Sequence, residues 1–530
     1  MRRILAVAVP VVLVIVIVVG AVLLLRRAPG PAVATAAQTL YEKECAVCHG
    51  SGGDGAGSAA YLLYPKPRDF TRGLFKVRST LSGELPTDND LFQTITQGMP
   101  GSAMPSFAHL SEEDRRSLVG VVKAFWPPFA ERQPPQGITP PSPMPVSPET
   151  LARGKDVYAR MACSPCHGET GRADGPSAAT LKDEWGNDIR ANDFTRGIYK
   201  GGARDEDIYL RFLTGMSGTP MPSFAGLISD EDIYALVHYV KSLAGGAADA
   251  VQPTRESLAV QRVASVPADP RDGGWASLPE VKLPLMLLYQ RQESVRNVAV
   301  KAAHDGTSIA IRVEWEDAQP NAQFIRPQDF SDAVAVQFPL QDSADLITLT
   351  MGQHEVPVNI WHWKADHQVD VERRQDVEDV YPAMASDDYP FAKTLYARQN
   401  GKYIKTEETA GHKPVPATAD NDPSYLSGWG AGNPMSSPDR SVAVDDLNAV
   451  GFGTLSPQPA KAQNVRGTGV WDNGMWRVVF VRALAGARSG DVRLAPGATV
   501  PAAFAVWEGQ HADRDGQKSV TSWNLLSLAP

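Results

Sequence analysis

Cysteine is scarce in this chain, with four residues in 530. All four lie in two copies of one short pattern, Cys45-Ala-Val-Cys48-His49 and Cys163-Ser-Pro-Cys166-His167. None is left for a structural disulfide or an iron–sulfur cluster. The chain also lacks a phosphate-cradling glycine loop and a recognisable Ser/His/Asp set, so no separate catalytic constellation stands out. Positive charge is in deficit. The net charge is −9, and subtracting Arg2, Arg3, Arg26 and Arg27 at the N-terminus leaves −13 on residues 28–530. That argues against nucleic acid as a partner and suits either a solvated acidic surface or a basic docking partner.

Long apolar runs are equally rare. One, Ile4 to Leu25, has 22 residues without a charge. At about 1.5 Å per residue it spans a hydrocarbon core of about 30 Å. Ala34-Thr35-Ala36 fits a signal-peptidase site, but the run exceeds an ordinary signal-peptide core and Arg26-Arg27 follows directly. The expectation is an uncleaved single-pass helix, with residues 1–37 as membrane anchor and tether.

What the chain does have is Cys-x-x-Cys-His twice, the signal for covalent haem attachment: the thiols add to the haem vinyl groups and the histidine ligates the iron. A zinc knuckle or a redox dithiol would need neither the histidine nor the surrounding repeat. Asp69-Phe-Thr-Arg-Gly73 recurs as Asp193-Phe-Thr-Arg-Gly197, and Met104-Pro-Ser-Phe107 as Met221-Pro-Ser-Phe224. Capped amphipathic helices follow from Ser111-x-x-Asp114 and Ser229-x-x-Asp232. A chain of this length needs several domains. The expected units are 38–128 and 148–246, with a Pro-rich linker over 129–147 that is extended and holds them apart. A second linker is expected over 247–267.

Each unit resembles a monohaem class I cytochrome c, an all-α domain. The resemblance implies axial ligation by His49 with Met104 and by His167 with Met221, the methionine lying in a Met-Pro turn. Met99 and Met216 are the rivals, read as packing against the haem edge. Arg72 and Arg196 are candidates for pairing with haem carboxylates, a surface or turn role being equally compatible. His/Met ligation closes the iron to substrate, which suits electron transfer better than peroxidase chemistry. Covalent haem attachment resembles c-type cytochrome biogenesis and puts the bulk of the chain on the periplasmic side of a bacterial cytoplasmic membrane.

Residues 268–530 change character. Short runs such as Leu285–Gln290, Val298–Ala302, Ile309–Trp315, Ala333–Pro339, Leu346–Met351, Val358–Trp363, Trp476–Arg482, Ala502–Trp507 and Val520–Leu528 alternate with Asp305-Gly306, Asn473-Gly474 and Asp515-Gly516 turns. They predict an all-β sandwich, with 367–465 as a long irregular excursion. By pattern alone this is a haem-free sugar-binding or structural sandwich as readily as anything else.

Met351-Gly-Gln, Pro357-Val-Asn-Ile-Trp-His-Trp-Lys-Ala365, Val470-Trp-Asp, Ala505-Val-Trp-Glu-Gly509 and Gly516-Gln-Lys-Ser-Val520 resemble the haem b subunit of ethylbenzene dehydrogenase. Related gamma subunits serve other type II dimethyl-sulfoxide reductase family enzymes, including chlorate and selenate reductases and nitrite oxidoreductases. The resemblance implies one non-covalent haem b held by Met351 and Lys518, beside the two covalent haems c. On position alone Met351 is a core methionine and Lys518 a surface lysine, and His354, His362 and His367 are rival ligands. An amine binds iron only when deprotonated, so Lys518 must be buried or metal-bound enough to lose its proton. The implied partners are iron–sulfur and molybdopterin subunits, and a soluble cytochrome or respiratory-chain component. The alternatives are a free-standing membrane cytochrome between quinol oxidation and a terminal oxidase, and a dihaem cytochrome with a haem-free binding sandwich.

Overall fold

The computed structural model describes residues 35–132, 135–245, 255–291, 293–341, 351–353, 356–375, 377–383, 396–399, 402–405, 433, 440–486 and 488–530. The apolar run Ile4–Leu25 lies outside them. Among the described residues no helix is long and apolar enough to cross a membrane.

The first unit is built on helices α1 (Ala36–Glu44), α2 (Asp88–Gln97) and α3 (Glu112–Ala124). The second uses α4 (Pro148–Arg160), α5 (Asp205–Thr214) and α6 (Asp230–Ser242). Their starts follow from local chemistry. Ser111 and Ser229 accept from the backbone N–H of Asp114 and Asp232 at 3.0 and 3.3 Å, satisfying donors that a helix start leaves orphaned. Helix α6 packs so closely on α4 that a Cβ on Gly154 would sit 2.0 Å from the Ala235 carbonyl oxygen. Ahead of the cysteines, Tyr41 and Tyr158 each donate a hydroxyl hydrogen bond, to the carbonyls of Gly50 (2.8 Å) and Gly168 (2.7 Å). Tyr158 is one residue further from its cysteine than Tyr41 is. Ala162 takes up the extra residue in a left-handed conformation, φ 51°, so the repeat closes identically.

The Pro-rich segment does not hold the units apart. It opens in a helical turn, Pro128–Glu131, and from residue 135 on it lies against both: Ile138 N–H donates to Ser79 O at 2.7 Å, and Tyr234 hydroxyl bonds Pro141 O. The units pack directly. Arg78, buried, donates to Thr214 O at 2.6 Å, Arg211 donates to Arg78 O at 2.6 Å, and Arg68 lies over the Trp185 ring at 4.5 Å. Proline stiffness decides a segment's reach, not whether its backbone carbonyls find donors.

The β region comprises β1 (Ser257–Arg262), β2 (Val281–Pro284), β3 (Met286–Leu287), β4 (Asn297–His304), β5 (Ser308–Glu316), β6 (Ala333–Pro339), β7 (Val358–Lys364), a separate hairpin β8–β9 (Tyr396–Gln399, Lys402–Lys405), β10 (Val444–Ala449), β11 (Ser456–Pro457), β12 (Arg466–Asp472), β13 (Met475–Ala483), β14 (Thr499–Trp507), β15 (Ser519–Val520) and β16 (Asn524–Leu528). The main sheet runs β11-β10-β7-β6-β14-β16-β1-β4-β5-β13-β12. It folds over on itself. Trp361 and Trp363 of β7 meet Phe480 and Trp476 of β13, far along the path, with ring centroids 6.4 and 5.0 Å apart. Asn473-Gly474 makes the two-residue turn joining β12 to β13, both residues at positive φ (51° and 76°), as a type I′ hairpin requires.

Two expectations are corrected. The second linker contains β1, which pairs in parallel with both β16 and β4 and joins the two layers. Its Leu258 and Val260 are buried while the residues between them are exposed, a pattern too short to read against proline-rich flanks. The excursion 367–465 contains helix α7 (Ala365–Glu372) and β10. Strand β10, Val-Asp-Asp-Leu-Asn-Ala, lies inside the sheet because its acids have partners there. Asp445 pairs with Arg440 at 2.9 Å, and Asp446 accepts from Asn359 at 2.6 Å and Gln458 at 2.9 Å.

Candidate functional site

In the first unit one cavity is lined by Cys45, Cys48, His49, Met99 and Met104; in the second, by Cys163, Cys166, His167, Met216 and Met221. The structure thus brings each thiol pair, histidine and methionine together, and both rival methionines share the same walls. His49 Nδ1 lies 2.9 Å from Arg68 O, and His167 Nδ1 lies 2.9 Å from Asn192 O. A carbonyl only accepts, so Nδ1 carries the proton and Nε2 keeps its lone pair for a metal. Burial pulls His49 down to about 4 and lowers His167, so both rings stay neutral at pH 7. Burial also pushes the Cys48 and Cys163 thiols up to about 12, the wrong direction for a redox dithiol or a zinc thiolate.

The Asp-Phe-Thr-Arg-Gly repeat finds its use here, one that sequence reasoning missed. Asp69 and Asp193 accept from the N–H and hydroxyl of Thr71 and Thr195, at 2.9 and 2.6 Å in each unit. Those turns place Phe70 and Phe194 flat on the imidazoles of His49 and His167, each at 4.4 Å. The motif fixes the plane of the proximal ring. Behind the Met-Pro turns, Gly98 and Gly215 take φ 71° and 66°, and a Cβ there would come within 2.4 Å of Pro105 O or 2.7 Å of the Pro222 carbonyl carbon. Arg72 and Arg196 do not face the cavities. Arg72 is exposed, and Arg196 donates to Ser294 (2.8 Å) and to Arg291 O (3.3 Å) in the β region. Both follow a phenylalanine committed to the cavity, and the turn directs them away.

The third cavity, about 740 Å³, lies on the outer face of the β6/β7/β14 layer. Strand alternation builds it. Val334, Val336, Trp361 and Trp363 point into the core, while Ala333, Ala335, Ile360, His362, Ala503 and Ala505 face the cavity. Four alanines on adjacent strands give a flat floor suited to a planar ring. Apolar character on both faces also explains why Ala333–Val336 reads as an unbroken apolar run.

At this cavity Met351 and Lys518, 167 residues apart in sequence, come together: Lys518 Nζ lies 3.8 Å from Met351 Sδ. A thioether and a buried amine this close together could both serve a metal held in the cavity. Lys518 is 8% exposed, and burial pulls its amine down to about 8, within reach of deprotonation. Its Nζ lies 4.7 Å over the Trp507 ring. Of the rivals, His354 lies outside the described residues. His367 Nδ1 stands 3.3 Å from Asp445. His362 lines the cavity with Nε2 buried and unbonded, its ring 4.8 Å from that of Trp507.

Two attachment motifs whose candidate ligands line common cavities are the arrangement of a c-type cytochrome, and its work is electron transfer. The ethylbenzene dehydrogenase family model matches residues 272–519, a cytochrome c model residues 151–244, and a model for subunit III of cbb3-type cytochrome c oxidase residues 32–120. The chain is thus similar to cytochrome c in its two N-terminal units and to the ethylbenzene dehydrogenase family over most of its β region, and these matches support haem binding. It is 23% identical over 293 residues to the chlorate reductase gamma subunit of Ideonella dechloratans (53% of this chain, 90% of that one). It is 24% identical over 276 residues to the dimethylsulfide dehydrogenase gamma subunit of Rhodovulum sulfidophilum (50% and 76%). A chain in the solved Kuenenia stuttgartiensis reducing HAO-like protein complex Kustc0457/Kustc0458 is 45% identical over 39% of this chain and 94% of that one, TM-score 0.39.

Proposed function

We propose that the chain carries two covalent haems c and one non-covalent haem b, and serves as the electron-transfer subunit of a respiratory molybdoenzyme. The pairs that would hold the irons are His49 with Met104, His167 with Met221, and Met351 with Lys518. The observation that carries the third site is the approach of the Met351 thioether to a buried amine above an alanine floor. Haem supplies one-electron chemistry. The protein holds each imidazole in one plane and one tautomer, keeps the Lys518 amine close to its neutral form, and lines the centres with apolar walls.

Adjacency supports a relay. Tyr61 and Leu62 of the first unit line the β-region cavity, and Pro65 and Lys76 line both cytochrome cavities. The backbones interlock there: Tyr64 N–H donates to Leu288 O at 3.0 Å, and Gln290 N–H to Tyr64 O at 2.8 Å. The gamma subunits among the relatives favour iron–sulfur and molybdopterin subunits as partners on one side. A soluble cytochrome or a respiratory-chain component stands on the other. Ile4–Leu25 anchors the chain to the bacterial cytoplasmic membrane, with its bulk in the periplasm.

The test is purification of the full-length chain from native membranes, with metal analysis and a pyridine haemochrome assay. The expected result is two c haems to one b haem, together with molybdenum and non-haem iron. Two c haems without b would overturn the third site. Three haems without molybdenum would overturn the subunit assignment in favour of a free-standing cytochrome.

A further inference from the structure

The repeat continues past its Asp-Phe-Thr-Arg-Gly core to a lysine in each copy, Leu74-Phe-Lys76 and Ile198-Tyr-Lys200. Both lysines are half-buried in cavity walls, Lys200 in that of the second unit and Lys76 in both. Two arginines join them, Arg68 at the first cavity and Arg211 at the second. Arg68 Nη1, Arg211 Nε and Arg211 Nη1 are buried with no hydrogen-bond partner. Other atoms of the two guanidiniums are engaged, by the Trp185 ring and by Arg78 O.

Among the described residues no carboxylate forms an ion pair with any of the four. Asp183, Glu184 and Asp69 act on Arg68 only from a distance, as Asp183 does on Lys76 and Asp90 and Asp207 do on Arg211. Lys76 faces Arg68 and Lys200, like charges, and burial pulls the two lysines down to about 7 and 8. Buried cations without an ion-paired carboxylate are costly. Such an arrangement persists where an anion is part of the assembled protein.

We propose that Lys76, Lys200, Arg68 and Arg211 form one cationic seam that binds the carboxylates of both covalent haems, with Lys76 serving the two together. The seam makes the two centres one electrostatic unit, although each is attached within its own domain. The proposal rests on haem occupying both cytochrome cavities.

The experiment is a spectroelectrochemical titration of the c haems in the full-length protein. A cation beside the haem edge favours the reduced centre, so Lys76→Gln shifts both c-haem midpoint potentials downward. Lys200→Gln shifts one, Lys76→Arg restores both, and Lys155→Gln on the exposed face of α4 leaves both in place. Covalent haem is counted by mass in every variant. Absence of haem from either unit of the wild-type protein overturns the reading of the cavities. Haem in place with unmoved potentials in Lys76→Gln, or an equal shift in Lys155→Gln, overturns the seam. If Lys76→Gln fails to mature, Lys200→Gln carries the test, and no shift there overturns it. Wild-type potentials that move with inorganic phosphate at constant ionic strength would assign the cations to a free anion and also overturn it.

Discussion

The cytochrome units and the β region assemble their proposed haem sites in opposite ways. In the units, two thiols and the proximal histidine sit within five consecutive residues, and one turn later in space a phenylalanine sets the ring plane. In the β region the two proposed donors, Met351 and Lys518, lie 167 residues apart in sequence and meet only because strands and turns bring them to 3.8 Å. A site written into a local motif and sealed by covalent bonds tolerates a loosened fold. A site assembled from distant positions has no existence apart from the fold, so its ligand affinity and the domain's stability are linked.

That contrast can be broken by experiment. The largest effect is expected from Cys163→Ala with Cys166→Ala: the mass of one covalent haem disappears, while b-type absorption remains. Lys518→Ala and Met351→Ala should do the converse, removing or re-ligating the b haem with both c haems intact. A b-haem spectrum unchanged in Lys518→Ala would rule out the lysine. Trp363→Ala deletes a fully buried indole packed on Trp476 and should cost the β region about 3–5 kcal/mol. In a denaturant titration it should release b haem at lower concentration without detaching either c haem. Simultaneous loss of all three spectra would show that the two regions unfold as one and that the contrast is false.

The smallest effect concerns His511, which bonds Glu508 at 2.8 Å and Glu293 at 3.1 Å. The hydrogen bond to Glu508, then its charge and that of Glu293, raise His511 above its ordinary value. Its stabilising contribution is therefore complete below an unfolded value of about 6.5 and fades as pH rises through the higher folded value. His511→Gln should be less stable than wild type at acid pH, with the gap closing in alkali. A gap independent of pH would remove the electrostatic explanation.

Much of the cytochrome half was legible because its signals are local: attachment motifs, Ser-capped helices, recurring Met-Pro turns. Less of the β half was. Strand β10 reads as polar loop because Asp445 and Asp446 look solvated until Arg440, Asn359 and Gln458 are seen beside them. Strand β1 hides in a proline-flanked segment whose partners lie at the far C-terminus. Arg196 reads equally as a haem contact or a turn residue, and its turn aims it at Ser294. Lys76 and Lys200 went unread although they repeat, since nothing in sequence distinguishes a lysine at a cavity wall from one in water.

By itself the amino-acid sequence determined the covalent chemistry, the two-fold repeat and the class of each domain, because these depend on residues close together in the chain. Tertiary structure alone decided that the proline-rich segment joins rather than separates, that Lys76 lines both cytochrome cavities, and that Met351 meets Lys518. Such juxtapositions arise from packing and sheet pairing between distant segments, and their energy lies in burial and partner choice.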